Sequence, residues 1–147
     1  MGETAENLAK QFGITREQQD EFAAKSQRLA AEAQKAGYFD EEIVPVSVPG
    51  RKETITVSKD EYIKAETTIA GLSKLRPCFI KEGTVTAGNA SGINDSAACV
   101  LLASAEEVSK RNLKPLAKIV AFSQAGCEPK IMGSGKLQVL FYKFSIH

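Results

Sequence analysis

The chain has no tryptophan, one histidine and no excess of either charge. Each shortage removes a class of function. Nineteen lysines and arginines face 18 aspartates and glutamates, a net charge of +1. Composition therefore sets up no basic field for nucleic acid and no acidic field for metal cations. The single histidine is His147, the last residue. Imidazole is the usual general base near neutral pH, and a terminal residue is seldom held firmly enough to serve as one. The three cysteines, Cys78, Cys99 and Cys127, form no Cys-x-x-Cys pair and have no nearby histidines, which excludes the familiar zinc and redox motifs. An odd count without a secretory signal points to a reducing compartment. No window approaches the roughly 20 apolar residues of a membrane span, and Met1 to Lys10 has neither signal-peptide nor transit-peptide character.

What is present suits one or two small globular units: 147 residues, 43% of them hydrophobic. The N-terminal third reads as helical, with Thr4 expected to cap a short helix ending near Gly13. Thr15 to Gln18 forms a Thr-x-x-Gln capping box that opens a longer helix. Its apolar positions Phe22, Ala23, Leu29, Ala30 and Ala33 recur near the 3.6-residue period, and Gly37 is a natural stop. Arg16, Glu17, Asp20, Glu21, Lys25, Arg28, Glu32 and Lys35 read as a solvated outer face. Ile43–Val48 and Thr54–Val57 are β-branched runs around a turn, so a hairpin is expected, with Pro45 and Pro49 marking an edge strand. Ser58–Glu61 and Ser104–Glu107 are two further capping-box patterns, and Thr68–Leu75 fits a short helix that stops before Pro77. Ala97–Ala103 and Leu116–Phe122 read as apolar strands, with Cys99 as a plain core residue. Leu137–Ile146 reads as an apolar, aromatic edge with no partner.

The informative stretch is Gly83 to Asp95, which holds few large side chains. Small residues let another backbone or a ligand come close. The loop Asn89-Ala90-Ser91-Gly92 is equally consistent with a tight packing turn and with a ligand cradle. Asn94 and Asp95 are residues that bond neighbouring backbone in turns. Gly133-Ser134-Gly135-Lys136 only superficially resembles a phosphate loop: Lys130 stands where the first glycine belongs, and Leu137 replaces the final Ser or Thr. No carboxylate pair stands out as an acid/base couple, and surface solvation accounts for the acidic residues.

The run Gly83-Thr84-Val85-Thr86-Ala87-Gly88-Asn89-Ala90-Ser91-Gly92-Ile93-Asn94-Asp95 closely resembles the thiolase family, in particular its short-chain acetyl-CoA acetyltransferases. So do Met1-Gly2-x-Thr4-Ala5-Glu6-Asn7, Glu42-Ile43-Val44-Pro45, Lys74-Leu75-Arg76-Pro77 and Pro115-Leu116-Ala117-x-Ile119-Val120, in the family's order and spacing, up to about residue 135. The resemblance implies an α/β class, an α+β fragment of the thiolase-like fold. Residues 1–76 would be a partial loop domain, helical with a β-hairpin. Residues 77–115 would be the end of the N-terminal core domain, 116–135 the start of the C-terminal domain with its first strand, and 136–147 a tail outside the family.

By that resemblance the chain is an internal fragment of an acyltransferase that moves acetyl groups between coenzyme A thioesters, a transferase of lipid metabolism. The family's reaction uses a nucleophilic Cys, a His that activates it, a second Cys for the substrate proton and an oxyanion site. None of these can be placed here, because Cys78, Cys99 and Cys127 match neither catalytic context. No catalytic residue and no metal ligand is therefore carried over, and the chain is expected to be inactive alone. Met1, Phe79, Ala87, Gly88, Ala90 and Ser91 match positions that line the pantetheine, with the Ser91 hydroxyl the best candidate to bond a pantetheine amide. Three positions depart: Lys64 stands where an Arg near the nucleotide is usual, Gly71 where Ser is common, and Ser96 where Gly usually follows Asn-Asp. The resemblance further implies coenzyme A or acyl-CoA as substrate rather than cofactor, and a homo-oligomeric parent. No nucleic acid or membrane partner is expected. The expected location is cytoplasmic, or mitochondrial if a targeting peptide precedes Met1. The competing expectations are a non-catalytic coenzyme A-binding or subunit-docking module and a truncated product without function.

Overall fold

The computed structural model describes residues 1–135. Helix α1 spans Gly2–Phe12 and α2 spans Arg16–Lys35. A hairpin follows, made of β1 (Val46–Pro49) and β2 (Thr54–Val57), and then the short helices α3 (Ile69–Leu72) and α4 (Ala105–Lys110) and a 3₁₀ segment, Pro129–Ser134. This mixture of helices with one small sheet agrees with the α/β expectation.

Local sequence explains most of these boundaries. Thr15 accepts from the Gln18 N–H at 3.3 Å while the Gln18 side chain accepts from the Thr15 N–H at 2.9 Å. Both halves of the capping box therefore form and fix the start of α2. Gly37, with φ of +76°, lets the chain turn away just past its end. Gly13 does the same for α1 at φ +63°, its N–H returning to the Ala9 carbonyl. Thr68 caps α3 through the Gly71 N–H, and Ser104 caps α4 through the Glu107 N–H.

The hairpin is antiparallel, with Val46 opposite Val57 and Val48 opposite Ile55. These four side chains share one face, because residues two apart on a strand point the same way. All four are exposed. The first strand begins at Val46 rather than Ile43.

Several expectations need correction. Met1, not Thr4, occupies the N-cap of α1; the Thr4 hydroxyl lies inside the first turn and donates to the Met1 carbonyl at 2.6 Å. Ser58–Glu61 opens no helix. Ala97–Ala103 and Leu116–Phe122 form no strand. A strand needs a hydrogen-bonding neighbour, and among the described residues neither segment has one. Their side chains consequently face solvent: Leu101 is 94% exposed and Leu116 fully so, and Cys99 is exposed rather than core. Phe22 and Leu29 of α2 are likewise exposed. The tail 136–147, including the apolar stretch 137–146 and His147, lies outside the described residues.

What holds the described part together is unusual in kind. Among those residues the buried apolar side chains are Ala9, Leu72 and Val85, whereas Glu6, Asp20, Thr86 and Ser134 are buried polar ones. Buried polar groups are tolerated only when hydrogen-bonded, so the segment around Thr86 is organised by polar anchors as much as by apolar packing. Helix α1 also rests on the 3₁₀ segment, where Asn7 Nδ2 donates to the Lys130 carbonyl at 2.9 Å and Gly133 abuts Leu8.

Candidate functional site

The small-residue segment 83–92 is held from two sides. On one side, the Glu6 carboxylate of α1 is 7% exposed. It accepts from the Thr84 N–H at 2.8 and 2.9 Å, from the Val85 N–H at 2.8 Å and from the Thr84 hydroxyl at 3.0 Å. Burial by itself raises the Glu6 pKa, but the Val85 and Thr84 amides and the Thr84 hydroxyl together outweigh it and hold the carboxyl below its ordinary value. Gly83 lies so close to this carboxylate that a side chain there would collide with it.

On the other side, Asp20 of α2 is 2% exposed and accepts from Asn89 Nδ2 at 2.9 Å and from Arg16 Nε at 2.8 Å. Asn89 also donates to the Thr84 carbonyl at 3.0 Å and accepts from the Thr86 N–H at 2.7 Å. Arg16 Nη2 reaches the Leu72 and Leu75 carbonyls at 2.7 and 3.1 Å, joining α2 to the end of α3. Gln19 adds a bond to the Thr84 hydroxyl at 2.8 Å. Thr86, fully buried, closes the turn itself: its hydroxyl accepts from the Gly88 N–H and its carbonyl from the Ala90 N–H.

These contacts correct two expectations. Arg16 and Asp20 are not on a solvated face, and the acidic residues are not all surface groups. The only sequence signals for this were positional: Glu6 shares a helical stripe with Gly2 and Ala9, and Asp20 sits four residues after Arg16. The Asn or Asp side chain that bonds the loop backbone is that of Asn89, rather than those of Asn94 and Asp95.

The six expected wall residues all border this segment or the start of α1. Met1 is 82% and Phe79 49% exposed. Phe79 lies with its ring against Gly2, where any Cβ would run into the ring. Ala87 and Ser91 are exposed, while Gly88 and Ala90 are half-buried. The Ser91 hydroxyl makes no hydrogen bond among the described residues.

The glycines of the loop face the chain itself. Gly88 abuts Leu72 and Leu75, and Gly92 abuts the Tyr62 ring, whose hydroxyl donates to the Ala90 carbonyl at 3.4 Å. Tight packing therefore explains Gly88 and Gly92, and the exposed, small Ala87 and Ser91 are what the loop offers outward.

An open cleft of about 640 Å³ adjoins the loop, lined by Lys59, Glu61, Tyr62, Lys64, Asn94 and Asp95 among others. It brings Lys64 beside the far end of the small-residue run. Lys64 is held by its N–H to Gln27 Oε1 at 2.7 Å and by its Nζ to the Glu61 carbonyl at 3.1 Å. A larger cleft, about 860 Å³, lies between α2 and residues 40–65, and none of the six wall residues lines it. Among the described residues no group of three or more His, Cys, Asp or Glu could hold a metal ion, and no helix is long and apolar enough to cross a membrane.

Residues 1–106 match the family model described as the thiolase N-terminal domain. The acetyl-CoA acetyltransferase of Shinella zoogloeoides is 55% identical over 137 residues, 93% of this chain and 35% of that protein. The β-ketothiolase BktB of Cupriavidus necator is 54% identical over 136 residues, 92% of this chain and 34% of that protein. The chain thus spans about a third of the length of the curated relatives it matches. Among solved structures, the Bacillus anthracis acetyl-CoA acetyltransferase superposes with a TM-score of 0.88 at 49% identity, over 97% of this chain and 36% of that one. The human mitochondrial 3-ketoacyl-CoA thiolase in complex with CoA does so with a TM-score of 0.82 at 46% identity, over 95% and 34%.

Proposed function

Since this chain belongs to the thiolase family, we propose that it forms part of the coenzyme-facing wall of an acetyl-CoA acetyltransferase and does not catalyse acyl transfer alone. Met1, Phe79, Ala87, Gly88, Ala90 and Ser91 are the wall, and coenzyme A or its thioester is substrate rather than cofactor. The observation that carries this is the loop 86–91. Its backbone is fixed by buried anchors, yet it leaves Ala87 and Ser91 exposed, with the Ser91 hydroxyl making no hydrogen bond among the described residues. A small surface with an exposed hydroxyl suits an extended pantetheine chain, which needs close approach and a few placed hydrogen bonds.

Incompleteness is supported by the chemistry of the described residues. They contain no histidine; Cys78 and Cys99 are exposed, and the half-buried Cys127 points its thiol at the Met132 carbonyl at 3.8 Å. Acyl transfer needs a nucleophile within reach of a base. The expected results are no thiolysis of acetoacetyl-CoA by the purified chain and heat on titration with coenzyme A. Turnover would overturn the incompleteness, and no heat up to millimolar coenzyme A would overturn ligand binding by this chain.

A second reading, a subunit-docking module, is favoured by one observation. Val100, Leu101, Leu102, Leu116, Val120 and Phe122 are all more than 70% exposed, and large apolar side chains exposed in two such runs suit covering by another surface. Assembly into homo-oligomers and a role in lipid metabolism follow as parts of the same proposal for the whole protein.

A further inference from the structure

We propose that Asp20 is the positioning residue of the coenzyme-facing loop, acting through Asn89, and that Arg16 extends this relay to α3. The proposal rests on the functional reading above. Among the described residues Asp20 hydrogen-bonds to no wall residue. One of its oxygens takes the Asn89 amide and the other the Arg16 guanidinium. Asn89 in turn sets the turn that presents residues 87–91, with its Oδ1 on the Thr86 N–H and its Nδ2 on the Thr84 carbonyl.

The same helix carries an internal control. Arg28 and Glu32 have the same i,i+4 spacing and the same 2.8 Å separation, but both side chains are more than half exposed, and among the described residues their hydrogen bonds stay within α2. Such a pair contributes little. Asp20 is 2% exposed and Arg16 19%, and burying a carboxylate is costly unless each of its oxygens is partnered. Its retention in a buried place, with a side-chain partner 69 residues away, assigns it a long-range rather than a helix-local role.

Arg16 completes the relay. Its Nη2 holds the Leu72 and Leu75 carbonyls, and the side chains of those same two residues abut Gly88 of the loop. The loop and α3 therefore meet at the point where the relay links them. A change at Asp20 shifts the small-residue wall sideways without removing any group that touches the ligand.

The test uses the full chain, native and Asp20→Asn, with pantetheine and adenosine 3′,5′-bisphosphate as separate calorimetric probes. Amide exchange is read in parallel. Asp20→Asn is expected to weaken pantetheine about tenfold, the scale of one charge-assisted hydrogen bond. The nucleotide fragment is expected to change less than about twofold, on the same scale. Exchange at Thr86, Gly88 and Ala90 is expected to quicken about tenfold, while Ala5 in α1 keeps its rate. Equal weakening of both probes, or unchanged protection of the loop amides, overturns the proposal. If Asp20→Asn does not fold, Arg16→Lys keeps the charge, loses the planar fork and must give the same pattern. If the native chain binds neither probe, the functional reading falls, and the exchange rates alone decide the role of Asp20.

Discussion

Replacing Glu6 by glutamine isolates the anchor between α1 and the small-residue loop. The carboxylate satisfies the N–H groups of Thr84 and Val85 and the Thr84 hydroxyl. An amide of the same shape keeps one acceptor oxygen and turns an NH₂ donor toward a site that now supplies donors. At least one buried N–H or O–H loses its acceptor, and the bonds that remain lose their charge assistance. Hydrogen bonds to a charged group contribute roughly 1.5–3 kcal/mol, so the substitution should cost about 2–4 kcal/mol. In urea unfolding followed by helical circular dichroism, that is a midpoint lower by about 1–2 M at an unchanged slope.

The pH dependence supplies the check. The native Glu6 carboxyl is held below its ordinary 4.5 because the opposing burial is outweighed by the Val85 and Thr84 donors. Around that pH the unfolded chain then binds more protons at Glu6 than the folded chain does. The contribution is fully present above 4.5 and is lost as pH falls through the lower native value. The gap between native chain and Glu6→Gln should be constant near neutrality and should close below 4.5. A gap below about 0.3 M in urea, or one that does not narrow in acid, would refute the role assigned to this carboxylate.

Gly2→Ala should destabilise the chain by about 1–3 kcal/mol, because the new methyl meets the Phe79 ring. Near-ultraviolet difference spectra and a lowered melting temperature would report it. Thr15→Ala removes the hydroxyl half of a formed capping box, leaving the Gln18 N–H without its acceptor, and should cost about 1 kcal/mol with a measurable loss of helicity. Gly37→Ala should be worse than Gly13→Ala. Both positions have positive φ, costing about 1 kcal/mol each, but only Gly37 would also place a Cβ 2.8 Å from Asp40 Oδ2. Equal melting-temperature losses for the two would show that this contact relaxes without cost.

The local elements were legible because their causes are local. The Thr15–Gln18 box, the stops at Gly13 and Gly37, the Thr68 and Ser104 caps and the hairpin between two β-branched runs each depend on residues within a few positions of one another. The resemblance carried by Gly83 to Asp95 was also legible, since it rests on residue identities. Ser58–Glu61 shows where such signals stop: it opens no helix and its surroundings are largely exposed, while the same pattern at Ser104–Glu107 does open α4, so the local pattern alone does not separate the two.

The Asn89-Ala90-Ser91-Gly92 loop divides the two kinds of knowledge. Sequence alone determined that this stretch is small and turn-forming, but left packing turn and ligand cradle equally open. Only the tertiary structure decided that Gly88 and Gly92 are spent on Leu72, Leu75 and Tyr62, and that Ala87 and Ser91 face outward. It alone decided that Glu6 and Asp20, marked in the sequence only by their helical positions, are buried anchors. Among the described residues it also left Ala97–Ala103 and Leu116–Phe122 without strand partners. The reason is common to all three. Burial and strand pairing are properties of residues far apart in the chain, 78 positions for Glu6 and Thr84 and 69 for Asp20 and Asn89, and no local pattern encodes which of them will meet.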